Sequence, residues 1–191
     1  MTGRWRKHAL PLLAVAVVVA AAVAATRWFA PPRRFGVVRA GGLYRSGQPR
    51  ARDWKLLRRY GVQTVVNLRM GPEDPACLAE ERRACAAEGV RLVHIPMHTR
   101  VPSDEQLRQF LHAVRSGGPA LVHCRHGEKR TGVMAAAYRI IVQDWPIQRV
   151  RAEMARYSVS PRDSKHPEFL AWLMRLKRDR QEWLRRAAHP Q

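Results

Sequence analysis

The chain is poor in cysteine, and this shortage excludes two kinds of small-protein architecture. Its 191 residues include three cysteines, Cys77, Cys85 and Cys124, and an odd, sparse set does not form a disulfide framework. Cys77 and Cys85 fall in a segment predicted to be helical, where eight residues span about 12 Å, too far for a disulfide. We expect both to be buried apolar residues. The chain also has no paired Cys-x-x-Cys, the usual mark of a structural zinc site.

Acidic residues are scarce as well. Only 15 Asp and Glu stand against 35 Lys and Arg, which gives a formal net charge of +20. Such an excess bears on partners and solubility rather than on the fold. Anionic lipid and phosphorylated substrates both fit it, and base-composition bias would also explain it. A nucleic-acid partner is not expected, because the chain shows no recognition motif and no aromatic residues interleaved with the basic ones.

One long apolar run stands apart from the rest of the chain. Residues 9–25 are uncharged and follow the basic residues 1–8, a pattern typical of a targeting or anchoring segment. The run is long for a signal peptide, whose apolar region has about 7–15 residues, and short for a membrane span of about 20. We favour a single-pass signal anchor over residues 1–30, with the following domain outside the cytoplasm. The alternative is a secreted or periplasmic protein cleaved near Ala22-Val23-Ala24.

Beyond a linker at residues 31–35, helices and strands are predicted to alternate through one domain at residues 36–191. The predicted strands are 35–45 (or a hairpin there), 62–68, 90–96 and 120–123, and the predicted helices are 49–60, 75–88, 103–115, 131–142, 146–157 and 167–186. This alternation predicts an α/β fold with a central, mostly parallel sheet flanked by helices.

The stretch V-H-C-R-H-G-E-K-R-T-G at residues 122–132 joins the last predicted strand to a helix that is apolar nearly all round. Ligands of open parallel sheets bind at the carboxyl ends of strands, and helix N-termini bind anions. Gly127 lets successive N–H groups converge, and Arg130 has a planar guanidinium that matches two phosphate oxygens. Cys124 lies where a nucleophile for phosphoryl transfer is needed.

The spacing between Cys124 and Arg130, with V-H before it and T-G after it, resembles the phosphate-binding loop of cysteine-based protein tyrosine and dual-specificity phosphatases. Residues 44–49, Y-R-S-G-Q-P, and 66–69, V-N-L-R, resemble a compact subgroup found in bacteria, plants and fungi. The resemblance extends over residues 36–160. It implies hydrolysis of phosphate monoesters in two steps through a phosphocysteine, with neither a metal nor a cofactor.

Carried onto this chain, the resemblance implies that Cys124 is the nucleophile and that Arg130 binds the phosphoryl oxygens. Thr131 would hydrogen-bond Cys124 and help it leave in the second step. The loop would bind phosphate along its whole length, through Arg125, His126, Gly127, Glu128, Lys129 and Arg130. Arg45 and Arg69 are interpreted as residues that hold loops by bonding backbone carbonyls.

The family's general acid, an aspartate on a loop before the cysteine, has no clear counterpart. The corresponding residues 94–102 contain no carboxylate. Asp104 is the tentative acid, although acids are also favoured at that position by the helix dipole alone. His98 is a second candidate because imidazole titrates near neutral pH, and Glu128 is a third, unless it pairs with an arginine at the loop rim.

Other function classes stay open. A catalytically weak phosphate-binding module would use the same loop without turnover, and the missing acid favours it. The basic side chains between residues 125 and 130 would also accommodate phosphoinositides or inositol polyphosphates. Sulfur transfer of the rhodanese type is disfavoured by Arg130 at the phosphatase spacing. A zinc site from His123, Cys124 and His126 is not expected, because adjacent ligands in a tight loop cannot complete a tetrahedron.

Overall fold

The structure is a computed structural model that describes residues 13, 15–22, 30–71, 75–98, 101–157 and 167–188. Its internal contacts divide the chain into two compact units, Met1–Pro31 and Pro32–Gln191. The domain bounds 1–30, 31–35 and 36–191 stay a prediction. The sheet and the loop described below belong to the second unit.

The predicted N-terminal membrane helix is not supported. Crossing the hydrocarbon of a bilayer takes about 20 apolar helical residues, and no helix in the described ranges is long and apolar enough to do so. Much of the predicted anchor, residues 1–12, 14 and 23–29, lies outside those ranges. The finding contradicts the predicted localisation, that of a membrane protein with a single-pass N-terminal anchor.

The described strands form one sheet in the order β1-β2-β5-β3-β4. Their bounds are β1 Gly36–Arg39, β2 Leu43–Ser46, β3 Thr64–Asn67, β4 Arg91–His94 and β5 Ala120–His123. The hairpin pair β1 and β2 is antiparallel and the other pairs are parallel. The β-branched residues of β3 and the apolar residues of β5 are buried on both faces, as expected for the centre of a parallel sheet. The predicted mostly parallel sheet is therefore confirmed.

Helices cover the sheet and follow the predicted segments closely. After a short 3-10 helix at Ala51–Asp53, they are α1 Trp54–Arg59, α2 Pro75–Ala87, α3 Asp104–Arg115, α4 Lys129–Ile141, α5 Ile147–Arg156, α6 Pro167–Arg178 and α7 Arg180–Ala188. The segment predicted as one helix over 167–186 is two helices that meet at Asp179. Helix α3 begins with a capping box, in which Gln106 N donates to Ser103 Oγ at 3.1 Å and Ser103 N donates to Gln106 Oε1 at 2.9 Å.

Two apolar cores lie on opposite faces of the sheet. Neighbouring strand residues alternate between them, so that Val66 joins the larger core with α3 to α7, whereas Val65 joins the smaller core with α1 and α2. Cys85 is buried in the smaller core, where burial, assisted by the nearby Glu81 carboxylate, raises the pKa of its thiol to about 12. Cys77 is only half-buried, contrary to prediction, because its sulfur faces the Arg69 guanidinium and not apolar side chains.

The sheet register brings three loops together at the carboxyl ends of the strands. His123, the last residue of β5, lies between Ser46 of β2 and Asn67 of β3. The segments that follow these residues therefore leave the sheet side by side. Cys124 is the first residue of the middle segment.

Candidate active site

The loop of residues 124–130 leaves β5 and enters α4 directly beside the end of β2. Cys124 is 3% exposed at its start. Gly127 has a φ of +72°, and a Cβ there would lie 2.5 Å from Gly47 N and 2.6 Å from the carbonyl carbon of Ser46. Only glycine fits at this position, because a side chain would be strained by the positive φ and would clash with the backbone of residues 46 and 47. The loop rests with its backbone against the end of β2.

Three backbone carbonyls of this loop accept hydrogen bonds from β2 and from the segments next to it. The oxygens of residues 125, 126 and 127 accept hydrogen bonds, respectively, from Gln48 N at 3.3 Å, Arg34 Nη1 at 3.4 Å and Arg45 Nη2 at 2.8 Å. In a trans peptide the C=O group and the next N–H group point in opposite directions, and no described peptide is cis. The N–H groups of residues 126–128 are thus directed away from these three donors. Converging N–H groups of this kind form an anion site.

A buried polar cluster lies next to the base of the loop, centred on Glu81 of α2. Glu81 Oε1 accepts from Gln48 Nε2 at 2.7 Å and lies 2.9 Å from His123 Nε2, while Oε2 accepts from Asn67 Nδ2 at 2.5 Å. Burial by itself raises the pKa of Glu81, but the charge of His123 and the hydrogen bonds outweigh it and hold that pKa below its usual value. The cluster connects α2, β3, β5 and the segment after β2.

Glu81 is a site residue that the sequence reasoning missed. A signal for it exists, because Cys77, Glu81 and Cys85 are spaced four residues apart and lie on one helix face. Both cysteines were predicted to be buried, so the acid between them had to be buried as well. A buried acid needs polar partners, and His123 is one of them.

Arg69 follows β3 and joins the same cluster through its side chain. Its Nη1 donates to Gln48 Oε1 at 3.0 Å and to Cys77 Sγ at 2.8 Å. Its backbone N donates to Asn67 Oδ1 at 2.7 Å, and its carbonyl oxygen lies 2.7 Å from His94 Nε2. Arg69 was interpreted as a residue that bonds backbone carbonyls, but these guanidinium contacts are with side chains.

The remaining predicted phosphate-loop residues lie at the junction of the loop with α4. Arg130 is half-buried in the first turn, and its Nη1 donates to Leu68 O at 3.3 Å. Thr131 is fully buried, and its hydroxyl has no hydrogen-bond partner among the described residues. Glu128 Oε1 pairs with Arg34 Nη2 at 2.7 Å. The side chains of Arg125, His126 and Lys129 are exposed.

The two acid candidates outside the loop, Asp104 and His98, lie on other segments of the chain. Asp104 Oδ1 accepts from Arg175 Nη2 at 2.9 Å, and its side chain is 52% exposed. It lines a surface cavity with residues of α6 and α7, a cavity that residues 124–130 do not line. His98 is exposed after β4. Within the described ranges, no group of three or more His, Cys, Asp or Glu side chains could hold a metal ion.

Comparisons with known proteins agree with this geometry. The family model described as "DSP-PTPase phosphatase fused to NAD+ Kinase" matches residues 38–171. The chain is 42% identical over 118 residues to the dual specificity protein phosphatase TpbA of Pseudomonas aeruginosa (strain UCBPP-PA14), an alignment that covers 60% of this chain and 50% of TpbA. It is 30% identical over 132 residues to the inositol diphosphatase DSP3 of Arabidopsis thaliana, covering 65% of this chain and 62% of DSP3.

A solved structure extends the likeness to three dimensions. The crystal structure of P. aeruginosa TpbA superposes with a TM-score of 0.57 and 32% identity, over 78% of this chain and 87% of that one. The chain nonetheless spans only about half the length of the curated TpbA sequence that it matches.

Proposed function

The chain belongs to the dual-specificity and tyrosine (DSP-PTPase) phosphatase superfamily, and from that premise we propose that it hydrolyses phosphate monoesters through a phosphocysteine. The observation that carries the proposal is the 124–130 loop. Three of its carbonyls are bonded on one side, which directs the N–H groups of residues 126–128 to the other side, where an anion would bind. An anion site with a cysteine at its base and an arginine at its rim fits phosphoryl transfer.

The proposed reaction has two displacements at phosphorus. In the first, the Cys124 thiolate attacks phosphorus, an S–P bond forms, and the ester P–O bond breaks as the leaving oxygen takes up a proton. In the second, water attacks the phosphocysteine, a P–O bond forms, and the S–P bond breaks to release inorganic phosphate. The water loses a proton, and the thiolate returns to its starting state.

Four groups are proposed to assist the reaction. The N–H groups of residues 126–128 and the Arg130 guanidinium bind its non-bridging oxygens, where charge develops in the transition state. The Thr131 hydroxyl, buried and without a partner among the described residues, donates to the sulfur as it leaves in the second step. Asp104 is proposed to protonate the leaving oxygen, on the strength of its sequence position alone.

Phosphorylated protein is the proposed substrate class, supported by the similarity to the dual specificity protein phosphatase TpbA. Inositol phosphates are a second candidate, supported by the similarity to the inositol diphosphatase DSP3. The exposed basic side chains of Arg125, His126 and Lys129 favour this second class, because a substrate with several phosphates needs cations outside the primary site.

The test is single-turnover hydrolysis of p-nitrophenyl phosphate by the full chain. Wild type is expected to release p-nitrophenol, and Cys124→Ser to release none. Arg130→Met is expected to lose about 10²–10³-fold in rate, the usual cost of removing one transition-state donor. Cys85→Ala, a change at a buried cysteine in the smaller core, is the matched control and should retain the activity.

An inactive wild type would contradict the proposal, whereas an active one allows the two substrate classes to be compared. A wild-type protein that binds vanadate at the loop but releases no p-nitrophenol would replace the phosphatase with a phosphate-binding module. An active wild type is then compared on a phosphotyrosine peptide and on inositol hexakisphosphate. The substrate with the larger kcat/KM decides between the two substrate classes.

A further inference from the structure

Arg45 on β2 is a buried cation behind the loop. Its side chain is 1% exposed and is among the largest of the fully buried side chains. Its Nη2 donates to Gly127 O at 2.8 Å, and its Cζ lies 3.7 Å from the centroid of the Tyr157 ring. Its Nε and Nη1 have no hydrogen-bond partner among the described residues. A buried arginine is normally paired with an anion, so this arrangement calls for an explanation.

Burial has the largest effect on Arg45 and lowers its pKa to about 10. The Glu153 carboxylate of α5 favours the charged form, while Arg139 of α4 opposes it. The guanidinium therefore remains positive at neutral pH, although Glu153 is hydrogen-bonded to Arg139 and not to Arg45.

Packing energy alone does not account for a cation here. A buried charge without a full set of hydrogen-bond partners costs free energy and does not improve the packing. What Arg45 contributes is a hydrogen bond to a loop carbonyl. Because Arg45 lies behind the loop and is 1% exposed, it cannot touch a substrate bound in front of it.

We propose that Arg45 is a positioning residue of the phosphate loop, because it fixes the Gly127 carbonyl and, through that peptide, the direction of the Glu128 N–H. This inference rests on the proposed function, since it assigns a role within the same site. The hydrogen bond sets the direction of one phosphate-binding N–H group.

The experiment uses two substitutions of Arg45. Arg45→Met keeps the length and removes both the charge and the hydrogen bonds, whereas Arg45→Lys keeps the charge and removes the planar fork. Alkylation of Cys124 by iodoacetamide, followed by mass spectrometry of its peptide, reports the reactivity of the sulfur. Affinity for orthovanadate reports the geometry of the loop. Neither readout needs turnover.

Arg45→Met is expected to lower the vanadate affinity about tenfold, the equivalent of one hydrogen bond, because the Gly127–Glu128 peptide is no longer held. Alkylation of Cys124 is expected to slow as well, since the loop that carries the cysteine is no longer fixed. Arg45→Lys, which can still donate a hydrogen bond, should recover part of both readouts. Arg91→Met, at an arginine of β4 that bonds Ala113 O and Ser116 Oγ, is the matched control and should change neither.

Wild-type alkylation and vanadate affinity in a folded Arg45→Met protein would overturn the inference. If that variant does not fold, Tyr157→Leu and Tyr157→Phe take its place, since the first removes the ring beneath the guanidinium and the second keeps it. Tyr157→Leu should then lower both readouts relative to Tyr157→Phe, and equality of the two would overturn the inference. A wild type without turnover but with these effects would contradict the proposed phosphatase and leave the role of Arg45 intact.

Discussion

Glu81 and Arg45 are two buried charges next to the same loop, and they are compensated to very different extents. Glu81 has Gln48, Asn67 and His123 around its two oxygens. Arg45 has one hydrogen bond, to Gly127 O, and an aromatic ring. The comparison indicates that Glu81 maintains the structure at the base of the loop, whereas Arg45 acts mainly on the loop itself. Stability measurements should therefore separate the two residues.

The largest expected effect on stability is that of Glu81→Ala. Removing one partner of a buried ion pair typically costs about 3–5 kcal/mol, and here the change also leaves Asn67 and Gln48 without their acceptor. Urea denaturation should show this loss in the free energy of unfolding. Glu80→Ala, at the exposed neighbour on α2, is the matched control and should stay close to wild type.

The same measurement on Arg45→Met sharpens the comparison. Because Arg45 is poorly compensated, its replacement by an apolar side chain is expected to leave the free energy of unfolding within about 1 kcal/mol of wild type, or to raise it. A loss as large as that of Glu81→Ala would break the comparison and make both residues structural.

Lowering the pH should reveal how much Glu81 contributes to the stability of the folded protein. Its pKa in the folded protein is lowered from the ordinary 4.5, with His123 and the hydrogen bonds overcoming burial. The stability that it contributes is therefore fully present above that ordinary pKa and is lost as the pH falls through the lower folded value. In urea titrations below pH 4.5, wild type should lose stability faster than Glu81→Gln, which cannot ionise at this position. Parallel pH profiles for the two proteins would mean that Glu81 is not held in its ionised form.

The smallest effect is expected at the other acid, Asp104. Its ion pair with Arg175 joins side chains that are 52% and 42% exposed, and such pairs contribute about 0–1 kcal/mol. Asp104→Asn should therefore barely change the urea midpoint, which makes it a clean variant for activity. If Asp104 is the proton donor, this variant should lose about 10²–10⁴-fold in turnover of substrates with poor leaving groups; unchanged turnover would remove it from the mechanism.

Local patterns of the chain predicted more of the loop than of its surroundings. Residues 122–132 carry the cysteine, the glycine and the arginine within one short stretch, and the strand and helix around them are signalled by their own periodicity. The capping box of α3 was also predicted, because its two residues, Ser103 and Gln106, are three positions apart in the sequence. Each of these features depends on neighbours in sequence, which is why pattern analysis finds them.

Errors arose where a partner came from elsewhere. Cys77 was expected in the core, yet it lies beside Arg69, which follows a different strand. Glu81 was missed because its partner His123 belongs to another element. The choice of Asp104, the carboxylate nearest to residues 94–102, stays a prediction, and its contacts are with α6 and α7.

The order of residues by itself settled the α/β class, the mostly parallel sheet and the position of the cysteine loop, because hydrophobic periodicity and turn chemistry are local properties of the chain. Only the tertiary structure decided what supports that loop. Strand order places β2 and β3 on either side of β5, and this brings Arg45 under Gly127, 82 residues away, and Glu81 to His123. Contacts over such separations follow from how strands pair and helices pack, and no short sequence pattern encodes them.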